Sequence, residues 1–274
     1  MIVDSHIHIG EQTPVGGVYH FRLADGTDAS IQLEEGADLS VNRLLHDMDG
    51  CHVDKALVVA FSGIASNEFL SKVVKTHSKR LVGFAWVNNP RSNQSVRELE
   101  KAVNELGLKG LKLHPGIQGF TAADPEILPL IRRAADFNIP IFIHSFPWPP
   151  GYFHHCLVEH IDVLKKRAPK ATILIGHMGG PRFLDLIPIA PLPGIYVETS
   201  WGLTLIAYLY GIDFATRFIR RIGVDNVVFG SDWIGTNNER KAQLSVIEKM
   251  SLTSEEKEKI LGENMRKILE SRRD

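Results

Sequence analysis

The chain has 274 residues, with 31 basic and 32 acidic side chains and a formal net charge of -1. That length is enough for one sizeable core, and balanced charge without a long run of either sign excludes an electrostatic nucleic-acid or anionic-membrane surface. Two cysteines, Cys51 and Cys156, do not make a disulfide framework and point to a reducing compartment.

The N-terminus, MIVDSHIHIG, lacks the basic region and long apolar run of a signal peptide. No apolar stretch approaches the roughly 20 residues of a spanning helix, so a soluble cytoplasmic protein is expected. The first short apolar segment covers 2–9. The stretch 11–38 then interrupts the pattern with glycines and scattered β-formers (Val18, Tyr19, Phe21, Ile31, Leu33), and is expected to form an elaborated loop or small hairpin over one end of the fold. Further apolar segments follow at 55–61, 81–87, 108–114, 140–146, 172–178, 194–200 and 226–232. Most are too continuous for a strand with one wet face and suit a parallel sheet covered by helices.

Helical patterns fill the gaps. One spans 92–106, with Val96, Leu99, Ala102, Val103 and Leu106 on one face and Gly107 as its stop. Others span 125–137, 158–167 and 208–222. At the C-terminus, Thr253 and Glu256 are spaced as a capping box, and Leu261, Met265 and Ile268 continue an apolar face, giving one or two closing helices. Strands alternating with helices at this period point to a closed (β/α)8 TIM barrel in one domain over 1–274. An open doubly wound sheet shares the period, which does not itself show closure.

The polar residues inside these segments carry the functional reading. His6 and His8 alternate onto one face of the first strand, and Asp4 shares their parity. His144, His177 and Asp232 stand near the ends of the fifth, sixth and eighth strands. Burying such groups is costly unless they are paired, hydrogen-bonded or metal-bound. Five of them meeting at one rim read as metal ligands (His6, His8, His144, Asp232) with a catalytic or substrate-contacting His177, against a buried polar cluster as the alternative. Nitrogen and oxygen donors without thiolates suit one divalent ion, zinc first, with manganese, iron or cobalt also compatible. His20, His46, His52, His77, His154, His155 and His160 fall in loops or helical patterns and are set aside.

The segments DSHIHIG, GLKGLKLHP, IFIHSF, ILIGHMGG, VVFGSDW and ILGENMRKIL together resemble the amidohydrolase superfamily. Within it they are similar to the compact metal-dependent hydrolases and the aminocarboxymuconate-semialdehyde-decarboxylase-like enzymes. The resemblance implies one metal held by His6, His8, His144 and Asp232, with His177 binding or polarising substrate or joining a second metal. It also implies a homodimer. Lys112 and His114 share a face of the fourth strand. Lys112 reads as a carbamylated bridge, an anion-binding group or a structural residue, and His114 as a contact of the reaction centre.

Trp86, Phe146, Trp148, Trp201 and Trp233 lie near strand ends, either as walls for a planar substrate or as plugs of the barrel mouth. Trp148 and Trp201 are taken as substrate-binding candidates. Arg182 and Arg240 are candidate receivers of a substrate carboxylate, and Glu198 is read as an acceptor behind the site. The leading reaction is hydrolysis of an amide, lactone or other ester of a small molecule, with metal-activated water and with Asp232 moving the proton. Non-oxidative decarboxylation of an aromatic or unsaturated acid is the alternative. A catalytically silent barrel ranks third, because every position of the metal set is filled. No organic cofactor is expected, since neither a dinucleotide fingerprint nor a P-loop appears.

Overall fold

The computed structural model describes residues 1–12, 14, 17–149 and 152–271. β1 (Val3–Ile7) is followed by an antiparallel hairpin of β2 (Val18–Arg22) and β3 (Asp28–Gln32). Then come β4 (Lys55–Val59), β5 (Leu81–Trp86), β6 (Gly110–Leu113), β7 (Ile141–Ile143), β8 (Ile173–Ile175), β9 (Ile195–Glu198) and β10 (Val227–Val228). β1 and β4 to β10 form one eight-stranded parallel sheet in sequence order. The ends of that sheet meet: Ser5 N donates to the Phe229 carbonyl at 2.9 Å, His8 N donates to the Trp233 carbonyl at 2.8 Å, and Ile7 bridges Trp233 in parallel. The structure is therefore the closed barrel, not the open sheet.

Alternation along the strands sorts the apolar residues into two clusters. Val3, Leu57, Phe84, Phe142, Leu174 and Val228 fill the barrel interior, with Met265 and Ile268 of the last helix (Asn264–Glu270) closing its lower end. The larger cluster lies between sheet and helices. β1 departs from strict alternation. Its register against β4 slips between Asp4 and Ile7, so Val3 faces the interior while Ile7 joins the outer cluster. The slip keeps His6 and His8 inside and takes Asp4 out of their face. Asp4 pairs instead with Arg240 of the outer helix Asn238–Lys249, contrary to the parity expected from the sequence.

The helices expected over 92–106, 125–137 and 158–167 appear as Gln94–Asn104, a short turn plus Leu128–Asp136, and Glu159–Arg167. The expected 208–222 helix is two helices, Gly202–Tyr210 and Ile212–Ile222, because Gly211 at φ 86 breaks the ladder between them. The helices Val41–Gly50 and Asn67–Thr76 are each N-capped by a serine, Ser40 and Ser66. The capping box of Thr253 and Glu256 is formed. No helix among the described residues is long and apolar enough to cross a membrane.

Candidate active site

The polar residues gather at the ends of the strands, above the Phe142 ring. The His6 ring lies 4.4 Å from it and the Lys112 ammonium 4.0 Å. Phe142 is thus the floor that divides an apolar lower barrel from a polar upper one.

Three donor atoms converge first. His6 Nε2 and His8 Nε2 lie 3.3 Å and 3.1 Å from the same oxygen of Asp232, Oδ1. These residues form a group whose ligand atoms are all within 4.8 Å of one another. Asp232 follows β10 in a left-handed conformation, φ 53, which aims the carboxylate back across the mouth. Its other oxygen, Oδ2, accepts from the Trp201 indole N–H at 3.0 Å. Behind His6, Nδ1 lies 3.4 Å from Ser200 Oγ and 3.7 Å from Glu198 Oε2, partners that leave Nε2 as the nitrogen with a lone pair toward Asp232. Lys112 Nζ donates to that same Nε2 at 3.1 Å.

A second line runs through His177. Ser200 Oγ stands 2.8 Å from Glu198 Oε2 and 2.9 Å from His177 Nδ1. His177 Nε2 is 2.8 Å from His144 Nδ1, and His144 Nε2 donates to the Phe146 carbonyl at 2.8 Å. The carbonyl only accepts, so it places the His144 proton on Nε2 and the lone pair on Nδ1. His144 therefore stands beside the three-donor group, bonded to His177, rather than inside it. It also stacks on His114, with centroids 3.8 Å apart.

Two glycines make this packing feasible. A Cβ at Gly230 would lie 2.2 Å from Glu198 Oε1, so only glycine lets the buried carboxylate sit against the end of β10. A Cβ at Gly202 would lie 2.2 Å from the His177 carbonyl, so the loop carrying Trp201 can press against the His177 turn.

Burial sets the charges. It drives the imidazoles of His6, His114 and His144 well below their usual range, and takes His177 down to about 4 against the partial opposition of Asp232. Burial also lowers Lys112 to about 8, with Asp232 and Glu198 pulling the other way. It raises the Glu198 carboxyl. Burial opposes ionisation of Asp232, but His6 and His8 around it outweigh that and hold the carboxyl well below the usual range.

An aromatic roof covers the cluster. Phe61 meets His8 at 5.4 Å, Trp148 meets His114 at 5.8 Å, and Phe21 of the hairpin packs on both Phe61 and Trp148. The hairpin is fastened there by Ala24 N donating to the Ile117 carbonyl at 3.0 Å and by a Tyr152–Asp25 hydrogen bond. A cavity of about 930 Å³ opens beside this roof, with Phe61, Trp86 and Tyr19 in its wall and none of the imidazoles of the cluster. It adjoins the chemistry without containing it.

Several sequence expectations are relocated. Arg182 does not enter the site: it lies at the surface, paired with Glu159 at 2.8 Å and Asp185 at 2.6 Å. Arg240 is fully buried below the rim and is taken by Asp4 at 2.9 Å, so it is no receiver of substrate. Trp233 is core, with its indole N–H on Asp47 at 3.0 Å. Glu198 is the buried acceptor expected, bonded to Ser200 and to the His177 backbone. Ser200, Phe142 and the Trp201–Asp232 bond were not anticipated as parts of the site. Ser200 shares strand parity with Glu198, which is the one signal that pointed to it.

A metal can be tested against these atoms. Two imidazole nitrogens and one carboxylate oxygen crowd a single point, an arrangement that is repulsive for lone pairs unless a cation or a proton sits among them. The donor types are those of a divalent ion, so the residues fit one.

The amidohydrolase family model matches residues 3–270. A 2-amino-3-carboxymuconate-6-semialdehyde decarboxylase of Dictyostelium discoideum is 28% identical over 82 residues, which are 30% of this chain and 22% of that protein. The chain thus spans under a quarter of the length of that relative. Among solved structures, a dihydroxybenzoic acid decarboxylase from Polaromonas, with bound manganese and the inhibitor 2-nitroresorcinol, superposes with a TM-score of 0.72 at 18% identity, covering 100% of this chain and 98% of that one. A probable 2-pyrone-4,6-dicarboxylic acid hydrolase from Acinetobacter baumannii, with citric acid bound, gives 0.69 at 16% identity over 98% and 99%. At such identities these likenesses speak for the barrel, and the match over nearly the whole chain speaks for the family: this chain is an enzyme of the amidohydrolase family.

Proposed function

We propose that this enzyme removes a carboxylate, without oxidation, from a small planar acid, with one divalent metal at the strand ends. His6, His8 and Asp232 would hold the metal, and His144 would offer Nδ1, the lone pair that the Phe146 carbonyl leaves free of a proton. When bound, the metal supplies a Lewis acid that draws a carboxylate and a neighbouring oxygen together. The observation that carries the reading is Lys112. It is a buried ammonium 3.1 Å from His6 Nε2, the one Lys or Arg cation this cluster presents among the described residues, and so the natural receiver of an anionic group.

The chain's own residues then divide the work. Lys112 neutralises the carboxylate, while Phe61 and Trp148 flank a ring and exclude water. Asp232 takes up a proton from an acidic substrate hydroxyl and delivers it to the ring carbon that bears the carboxylate. The carbon–carbon bond breaks, its electron pair restores the ring, and carbon dioxide leaves. The sum is substrate carboxylate plus one proton giving ring–H and carbon dioxide, the hydroxyl regaining from solvent the proton that Asp232 carried to carbon. His177, kept neutral by burial and fixed by Ser200, orients the substrate oxygen. The names of two relatives, a decarboxylase in each case, favour this order of readings over hydrolysis.

Hydrolysis remains a second reading, supported by His177: a neutral imidazole beside Asp232 can polarise a carbonyl. The test is direct. Zinc- or manganese-loaded protein is given 2,6-dihydroxybenzoate and, separately, 2-pyrone-4,6-dicarboxylate. Carbon dioxide release from the first with an intact lactone in the second is expected. Lactone opening without carbon dioxide would replace this reading with the hydrolytic one. Failure of both metals to bind would end both.

A further inference from the structure

Trp201 is an odd residue for a rim. It is 45% exposed, and no ring among the described aromatic contacts packs on it. Its backbone is left-handed, φ 54, a conformation that bulky residues rarely adopt and that persists only when the surroundings impose it. Here they do. Trp201 N donates to Glu239 Oε1 at 3.3 Å, and Thr204 Oγ1 reaches the Trp201 carbonyl at 2.9 Å and Glu239 at 2.9 Å. Gln243 braces the same Glu239 oxygen at 2.9 Å, and Gly202 presses the turn onto His177. The backbone is held from below, and the side chain is delivered over the mouth to make one polar contact, its indole N–H on Asp232 Oδ2 at 3.0 Å. Asp232 is itself left-handed at φ 53, so two non-glycine residues in an unfavourable conformation meet through a single bond.

We propose that Trp201 is a positioning residue, not a stacking wall: its indole N–H fixes the Asp232 carboxylate with Oδ1 toward His6 and His8 and Oδ2 at the rim. This rests on the reading of Asp232 as metal ligand and proton carrier. A carboxylate free to rotate about its terminal bond would present Oδ1 to the two imidazoles only part of the time. The indole removes that freedom, as hydrogen-bonded partners of metal ligands generally do.

Phenylalanine and histidine separate the roles. Trp201→Phe keeps an aromatic face but loses the N–H. Trp201→His restores a donor, because imidazole Nε2 occupies the ring position of indole Nε1. Manganese binding measured by calorimetry on chelator-stripped protein needs no known substrate. W201F is expected to weaken manganese binding by about 10- to 100-fold, and W201H to recover most of the loss. Placed on Asp232→Asn, W201F should add nothing. The proposal is overturned if W201F binds manganese as tightly as the parent, or if W201H is no better than W201F. Failure of the underlying reading looks different: D232N itself would then bind manganese like the parent.

Discussion

The two halves of the barrel interior are built from the same eight strands and do opposite things. Below the Phe142 ring, Leu57, Phe84, Leu174 and Val228 meet the closing helix through Met265 and Ile268 in one apolar cluster. Above it, His6, Lys112, His177 and Glu198 are just as buried but touch one another through hydrogen bonds. The lower half gains from burial. The upper half loses from it, since burial lowers the imidazoles and Lys112 and raises Glu198. One half stabilises the fold, and the other is held in an unfavourable state that a cation and an anionic substrate would relieve.

The sharpest way to separate the halves is Asp232→Asn. It changes a single partly exposed rim group, so the lower half should not notice. Turnover of the best substrate is expected to fall by about a thousandfold or more, with a thermal midpoint close to the parent's. A near-normal rate would remove Asp232 from proton transfer. Phe142→Ala attacks the boundary instead. Loss of a fully buried ring should cost about 3–5 kcal/mol in denaturant unfolding. Because His6 and Lys112 rest on that ring, activity should fall with stability. A loss confined to stability would show that the upper cluster does not depend on its floor.

How much of each half was legible in the sequence follows from the same contrast. Strands, helices and the convergence of His6, His8 and Asp232 were readable, because apolar runs and strand parity are local patterns. The position of Asp4 was not. A one-residue slip in β1 reverses facing, and nothing in DSHIH announces it; the slip is stabilised by Arg240, Ser231 and the closure of the barrel, more than 200 residues away. The bond of His144 to His177 is not a local pattern either, since a ring's rotation is decided by a carbonyl two residues on. The surface pairing of Arg182 with Glu159 and Asp185 is not legible either, because proximity to HMGGP along the chain does not say which side of the turn faces solvent. Trp201 was named for its ring, whereas its structural partner engages its N–H.

Lys112 offers a test with a sign. Its pKa falls from 10.5 to about 8 on folding, so the folded protein holds this proton less tightly than the unfolded chain. Stability therefore carries a penalty that is full below pH 8 and fades as pH rises toward 10.5. A shift of that size corresponds to about 3 kcal/mol. Lys112→Met, similar in length and apolar, should be more stable than the parent by up to about 3 kcal/mol at pH 7 in chelator-treated protein. The gain should shrink toward pH 10, while activity on an acid substrate is lost. Equal stability at both pH values would mean that the ammonium is better solvated than its burial implies.

The smallest effect belongs to Arg182, and it tests the assignment of a residue to neither half. Its guanidinium sits at the surface between Glu159 and Asp185, with close to half of the side chain exposed. Exposed pairs of this kind contribute about 0–1 kcal/mol, because water screens them and two long side chains must be ordered to make them. Arg182→Ala should accordingly shift unfolding by no more than about 1 kcal/mol and leave kcat and KM for the acid substrate within about twofold. If KM rose tenfold while kcat held, Arg182 would have to leave both acidic partners and reach the substrate carboxylate. Lys112 would then no longer be the one Lys or Arg cation of the site among the described residues, and the division between a silent surface and a charged upper barrel would have to be redrawn around the turn after β8.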